Sequence, residues 1–548
     1  MVTDLYKKYC GEGFDRDGVL NRFEPRPTED FNFAYDVVDA IAKEEPDRTA
    51  VLWCNDEGEE KTLTFGEISR LSNRVANVLT NSGVKKGDMV LLILKRHYQF
   101  WYILPALHKI GAVAVPATNL LTQKDLEYRF NAASVSTVIC TGEGNVAKNI
   151  TDALPKSPTV VRKYTVGGLA EGFENLDGLL ETVSDEFDRV KTLSHEPLLL
   201  YFTSGTTGYP KMVLHNHTYA IAHIITAKYW HNVDPCGFHL TFAETGWAKS
   251  VWGKFYGQWF VGAAVFVYDF NKFVPSDILT LIEKYKITTF CAPPTIYRFF
   301  IKEDLSKYDL SSLSYATTAG EAVNPEVLKQ FYNATGLMLM EGFGQTETVL
   351  QAANLVGMTP KAGSMGKPLP LYRIMLINDE GKPVQTGEIG EIVVAANPGE
   401  IVGMFDGYYL DKEKTAEAWH DGLYHTGDTA WCDEDGYLWY VGRTDDIIKA
   451  SGYRIGPFEI ESVLMEHPAV LECAVTGAED PIRGTVVKAT IVAAKGFEAS
   501  DKLAKEIQEY VKSQTAPYKY PRIVEFVNEL PKTISGKIRR MEIRGENK

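Results

Sequence analysis

Two hydrophobic rhythms alternate along the first half of the chain. Residues 65–82 carry apolar side chains at helical spacing, residues 89–94 form an unbroken apolar run of strand length, residues 98–110 return to a helical pattern and residues 112–115 to a strand. The cycle recurs as a helix over 275–286, a strand over 288–291 and a helix over 295–303. Such alternation builds layered α/β domains, here a large parallel or mixed sheet region in two subdomains. After about residue 375 the pattern shortens into strands such as 387–394 and 436–441, separated by Gly-Lys, Thr-Gly-Glu and Asp-Gly turns, which predicts a β-rich subdomain. A fresh α/β pattern then begins, with helices over 457–467 and 501–513 and strands over 470–475 and 486–492. The expected organisation is a large N-terminal domain, residues 1–442, and a small α+β C-terminal domain, residues 443–548.

Composition narrows the functions open to this chain. With 548 residues, 45% hydrophobic and 24% charged, it can bury several cores, and no run approaches the ~20 apolar residues that span a bilayer. The N-terminal residues lack the apolar core of a secretory signal. Seven cysteines without a C-x-x-C pair imply reduced thiols and a cytoplasmic location. A net charge of −15 argues against a nucleic-acid surface, which needs a basic footprint. An anionic substrate must therefore meet cations concentrated locally. Lys532, Lys537, Arg539, Arg540 and Arg544 form one such stretch, unless they are a solvated tail.

The chemistry concentrates in short motifs. Residues 201–211, Tyr-Phe-Thr-Ser-Gly-Thr-Thr-Gly-Tyr-Pro-Lys, follow a buried strand from Pro197. Gly205 and Gly208 let backbone N–H groups approach an anion, Ser204, Thr206 and Thr207 add hydroxyls, and Lys211 adds a compact charge. Pro210 keeps the lysine on a loop or extended segment, unlike the lysine that opens a helix in the common NTPase loop. Residues 341–348, Glu-Gly-Phe-Gly-Gln-Thr-Glu-Thr, follow an apolar run at the carboxyl end of a predicted strand, where α/β sheets bind ligands. There Thr346 can bond a phosphate oxygen and Glu347 offers the hard oxygen that Mg²⁺ takes beside phosphates. Read alone, Gln-Thr-Glu-Thr is a helix N-cap with an acidic first turn. Asp428 is either a ribose acceptor or an Asx turn, and Arg443 either a phosphate partner or a salt bridge to Asp445 or Asp446. His215, His217, His223 and His231 match no zinc spacing and are assigned to packing and surface.

Taken in order, these motifs resemble the adenylate-forming superfamily of acyl-CoA synthetases, luciferases and peptide-synthetase adenylation domains. The same holds for Ala-Gly-Glu-Ala at 319–322, Tyr-His-Thr-Gly-Asp ending at Asp428, Gly-Arg-Thr-Asp-Asp around Arg443 and Pro-Lys-Thr-Ile-Ser-Gly-Lys ending at Lys537. Within that superfamily, Gly-Phe-Gly-Gln-Thr-Glu-Thr, Glu-Thr-Gly-Trp at 244–247 and Ala-Pro-Tyr-Lys-Tyr-Pro-Arg at 516–522 look most like the medium-chain acyl-CoA synthetases. The resemblance implies that a carboxylic acid attacks Mg-ATP to give an acyl-adenylate, which CoA then converts to a thioester. It implies that 203–211 hold the β- and γ-phosphates, that Gly320, Glu321 and Ala322 flank the adenine, and that Glu341, Gly342, Phe343, Gly344, Gln345 and Thr346 line the adenylate. Glu347 would take Mg²⁺, Asp428 the ribose, Arg443 and Arg454 the nucleotide or the domain interface, and Lys537 the attacking carboxylate and α-phosphate. The small domain would pivot at Asp445 and bring Ser451, Gly452 and Tyr453 to the site, with Arg483, Ser513, Tyr520 and Arg522 holding CoA. Trp247 and Gly344 would border the acyl group. Acetate-specific relatives carry tryptophan where Gly344 stands, so acids larger than acetate are expected, whether medium-chain, branched or aromatic. Glu244 departs from the aspartate of several relatives. A catalytically silent nucleotide-binding homologue and an adenylation domain serving a carrier protein are the other readings.

Overall fold

The structure, a computed structural model, describes residues 1–203, 209–321, 323, 325–450, 453–481, 484–516, 518–533 and 537–545. Two mixed sheets dominate. The seven-stranded sheet places Met89–Ile93 at its centre between Val113–Pro116 and Thr137–Thr141, all parallel, and ends in the antiparallel pair Pro197–Thr203 and Lys211–Asn216. The nine-stranded sheet has a parallel middle, running from Thr49–Asn55 through Ala264–Asp269, Phe238–Thr241, Thr289–Ala292 and Tyr315–Ala319 to Leu339–Gly344.

The continuous apolar runs are strands buried on both faces, as parallel strands covered by helices must be. Along Met89–Ile93, Val90 and Leu92 enter a core shared with the nine-stranded sheet, while Leu91 and Ile93 point to the opposite side. Between the sheets lies the helix Phe100–Ile110, buried at every position, which explains why its sequence is apolar all round. Its neighbour Phe65–Asn81 starts at a reciprocal cap: Thr64 Oγ1 accepts from the Glu67 amide at 3.2 Å and the Glu67 carboxylate accepts from the Thr64 amide at 2.8 Å.

A third sheet of five strands includes Ile374–Ile377, Gly390–Ala395 and Leu423–Cys432, against which Leu438–Arg443 pairs. The chain ends in a separate core. There the hairpin Val470–Asp480 and Gly484–Ala493 and the parallel strand Ile523–Phe526 pack on helices Pro457–Glu466 and Asp501–Gln514. The helical alternative for residues 345–348 is overturned. Leu339–Gly344 and Leu350–Ala353 pair antiparallel, so the segment between them is a hairpin turn. The carbonyls of Thr346 and Glu347, which a helix would use, accept instead from His215 Nε2 and the Phe405 amide.

Candidate active site

The carboxyl ends of Pro197–Thr203, Tyr315–Ala319 and Leu339–Gly344, the five-stranded sheet and the C-terminal core enclose one cleft of about 2810 Å³. Thr203, Lys211, Trp247, Gly320, Glu321, residues 341–347, Asp428, Arg443 and Lys537 all line it. Ser204, Gly205, Thr206, Thr207, Gly208, Ala322, Ser451, Gly452 and Arg483 lie outside the described residues.

At one end Lys211 opens an edge strand rather than a helix, as Pro210 predicts. Its Nζ lies 3.4 Å from the Tyr408 hydroxyl and 4.6 Å from the centre of that ring, and the hydroxyl donates to Glu347 Oε1 at 3.0 Å. Burial pushes the lysine pKa down, and the Glu347 charge opposes it. Tyr408 thus joins the strand-edge lysine to the turn carboxylate. Sequence reasoning missed it, because nothing in its own neighbourhood marks a tyrosine almost two hundred residues from Lys211 as its partner.

Asp428 sits in the third sheet, 5% exposed. It accepts from Gln345 Nε2 and, at 3.1 Å, from the Tyr440 hydroxyl, with Arg443 Nη1 at 3.4 Å. Burial raises its pKa, while Arg443, the two hydrogen bonds and the Lys537 charge pull the other way. Arg443 also donates to the Thr426 carbonyl at 2.9 Å and lies 3.7 Å from Asp445. Gln345 is fixed at both ends of its amide: it donates to the Thr426 carbonyl at 2.9 Å and accepts from the Tyr424 hydroxyl at 2.8 Å. The strand residue Glu341 is fully buried, and burial pushes its carboxyl well above the ordinary range. Gly320, at φ +108°, has open space where a side chain would stand. Its neighbour Glu321 pairs with Arg298 at 3.4 Å.

The inner end is walled by aromatic residues. A Cβ on Gly344 would stand 2.8 Å from the Trp252 ring and 2.5 Å from the Val349 carbonyl, and one on Gly342 2.8 Å from Trp230. Trp247 lines the cleft at the start of helix Ala248–Lys254, and Lys249 on that helix donates to the Ala319 carbonyl at 2.6 Å. Glu244 is buried behind this wall. Burial raises its carboxyl, against the Thr118 hydroxyl and the Arg96 charge.

Lys537 reaches the cleft from the C-terminal core, its amide donating to Thr533 Oγ1 at 3.1 Å. The described residues assigned to CoA, Tyr453, Ser513, Tyr520 and Arg522, are not brought to this cleft. Tyr453 stacks on Tyr518 at 3.9 Å, the Ser513 hydroxyl donates to the Tyr510 carbonyl at 2.7 Å, and Arg522 donates to the Tyr520 hydroxyl at 3.0 Å. None of the four lines it. Arg454 lies on the strand Tyr453–Ile455. The four histidines are all buried, none on the surface. Among the described residues no cluster of three or more His, Cys, Asp or Glu could hold a metal, and no helix is long and apolar enough to cross a membrane.

A sequence profile described as AMP-binding enzyme matches residues 38–409, and one described as AMP-binding enzyme C-terminal domain matches residues 459–537. The chain belongs to the AMP-binding enzyme family. Among curated members, the acyl-coenzyme A synthetase ACSM3, mitochondrial, of Pongo abelii is 42% identical over 525 residues, covering 94% of this chain and 89% of the relative. Among solved members, the anthranilate CoA ligase AuaEII in complex with anthranoyl-AMP superposes with a TM-score of 0.87 at 29% identity, covering 95% of this chain and 98% of that one. A benzoate CoA ligase from Burkholderia xenovorans LB400 gives 0.81 at 26% identity, covering 94% and 100%. The α/β fold and the resemblance to acyl-CoA synthetases therefore hold. The cytoplasmic location does not, because the curated relatives are named mitochondrial enzymes. All seven cysteines are unpaired, but free thiols report a reducing compartment and not which one.

Proposed function

We propose that this protein is an AMP-forming acyl-CoA synthetase that converts a medium-chain, branched or aromatic carboxylic acid, ATP and CoA to acyl-CoA, AMP and pyrophosphate. The carrying observation is that Lys537, the turn of Thr346 and Glu347, and Asp428 line one cleft although they come from three separate parts of the chain. Gly344 leaves the acyl end without the tryptophan that closes the site in acetate enzymes. Members solved as anthranilate and benzoate CoA ligases support counting aromatic acids among the candidates.

A carboxylate is already a nucleophile at neutral pH. The barrier is to bring it to another anion and to stabilise charge gathering on the α-phosphate, which calls for placed cations and donors rather than a protein nucleophile. Lys537 supplies the cation between the attacking carboxylate and the α-phosphate, and the Thr346 hydroxyl donates to a phosphate oxygen. Asp428, held by Gln345, Tyr440 and Arg443, accepts from the ribose hydroxyls. Glu347 suits a Mg²⁺ carried on ATP: it is a carboxylate lining the cleft beside Lys211 with one oxygen held by Tyr408, and Mg²⁺ takes one or two carboxylates beside phosphates. The metal would neutralise phosphate charge.

Residues 443–548 form the small domain of this reading, turning about Asp445 between half-reactions. Tyr453, Ser513, Tyr520 and Arg522 lie away from the cleft while Lys537 lines it, which fits the adenylating orientation. A CoA-dependent screen of AMP release across short, medium, branched and aromatic acids tests the assignment. Turnover of one of the larger acids supports it, and the absence of ATP–pyrophosphate exchange with any acid would overturn it. Adenylate formation without a CoA thioester would point instead to a domain that serves a carrier protein.

A further inference from the structure

Packing alone does not account for His215. It lies on the strand Lys211–Asn216, wholly buried, with Nε2 2.7 Å from the backbone carbonyl of Thr346. A carbonyl can only accept, so the imidazole is the tautomer protonated on Nε2. Burial pushes its pKa down to about 4, which keeps it a neutral donor at working pH. Its ring stacks on Tyr219 at 3.8 Å, and the Tyr219 hydroxyl accepts from Trp252 Nε1 at 2.7 Å. Trp252 in turn abuts Gly344, the last strand residue before the turn. The turn is thereby gripped at its base by Trp252 and at its middle by His215. The Glu347 carbonyl, next along, accepts from the Phe405 amide at 2.9 Å.

We infer that His215 is a positioning residue for the adenylation half-reaction, holding the turn of Thr346 and Glu347 through the Thr346 carbonyl, an inference that rests on the acyl-CoA synthetase reading above. It touches neither substrate nor reacting atoms. Its effect falls on the step that uses the Thr346 hydroxyl and the Glu347 carboxylate, and not on attack by CoA after pyrophosphate has left. A leucine at this position fills the same space against Tyr219 but leaves the carbonyl without its donor, whereas a glutamine retains an N–H.

The two half-reactions are measured apart, as ATP–pyrophosphate exchange and as thioester formation from supplied acyl-adenylate and CoA. His215→Leu is expected to lower the rate of exchange about 10- to 100-fold, on the scale that misplaced reacting groups cost. Thioester formation should stay within about threefold, and His215→Gln should recover about tenfold of the lost exchange. Equal losses in both half-reactions, unchanged exchange, or a glutamine variant no better than leucine at matched thermal stability would each overturn the role. If the leucine variant does not fold, His215→Asn, whose amide is too short to span to the carbonyl, must give the same split. Wild-type protein that forms no adenylate with any acid would sink the synthetase reading and this role with it. An active wild type with variants that do not split the half-reactions would sink the role alone.

Discussion

Single residues carry the chemistry through their neighbours. Lys537 is exposed on its own domain and gains meaning only where its charge reaches Asp428. Lys537→Ala should lower ATP–pyrophosphate exchange at least about 10²- to 10³-fold, the usual cost of losing a preorganised group that meets transition-state charge. Thioester formation from supplied acyl-adenylate should survive within a few-fold, and intact exchange would remove the lysine from the first step. Gly344→Trp tests the acyl wall. Any side chain there meets Trp252 and the Val349 carbonyl, so the indole must displace the wall or fill the pocket. kcat/KM for the preferred acid should fall more than about 100-fold with little change in the KM for ATP. That Thr346, Glu347 and Asp428 belong to one cleft was legible in the sequence, because they stand in motifs whose side-chain types suit phosphate, metal and ribose. Tyr408 and His215 were not, because hydrogen bonds across 61 and 131 residues leave no local pattern.

Elements decide which of these residues can meet. The hairpin between Leu339–Gly344 and Leu350–Ala353 turns what reads as a helix cap into a tight display of Gln345, Thr346 and Glu347. Local propensity favoured the cap, and strand pairing overrode it. Helix contact is equally strict at Gly257, where an added Cβ would stand 2.1 Å from the His223 carbonyl of the helix Tyr219–Ile224. Gly257→Ala should cost about 1–3 kcal/mol by overpacking, read as a lowered urea midpoint at unchanged slope. Asp445, the proposed pivot, is exposed between the strands Leu438–Arg443 and Ile448–Ala450. Asp445→Pro fixes its φ near −65°. Exchange should stay within a few-fold while thioester formation drops more than about 100-fold. Equal retention of both steps would count against a pivot there.

The whole molecule also carries an acid sensitivity. Burial pushes His215 and His217 down to about 4 and His239 to about 3, from an ordinary 6.5. Above pH 6.5 these groups are neutral in both states and contribute nothing to the pH dependence. Below it the unfolded chain takes up protons that the folded chain refuses, so stability falls from about pH 6.5 to between 4 and 3 and the loss then stops growing. Urea midpoints measured from pH 7.5 to 4.5 should decline throughout that range, and His239→Asn should flatten the decline. A midpoint constant down to pH 5 would mean that these rings are hydrated or charged in the fold.

The amino-acid sequence by itself determined the order of helices and strands, the change to short strands near residue 375 and the residue types able to handle phosphate, metal and ribose. Each of these depends on spacing along the chain, or on side-chain chemistry that is the same in any context. The tertiary structure alone decided that Lys211, Tyr408 and Glu347 form one relay, that Trp252 closes on Gly344, and that four histidines are buried with one of them bonded to the turn of Thr346 and Glu347. Those outcomes come from which strand edges pair and which helix faces pack, interactions between segments far apart in sequence whose strength depends on burial. The same imidazole that would be a surface base in isolation becomes a neutral donor once two sheets exclude water from it.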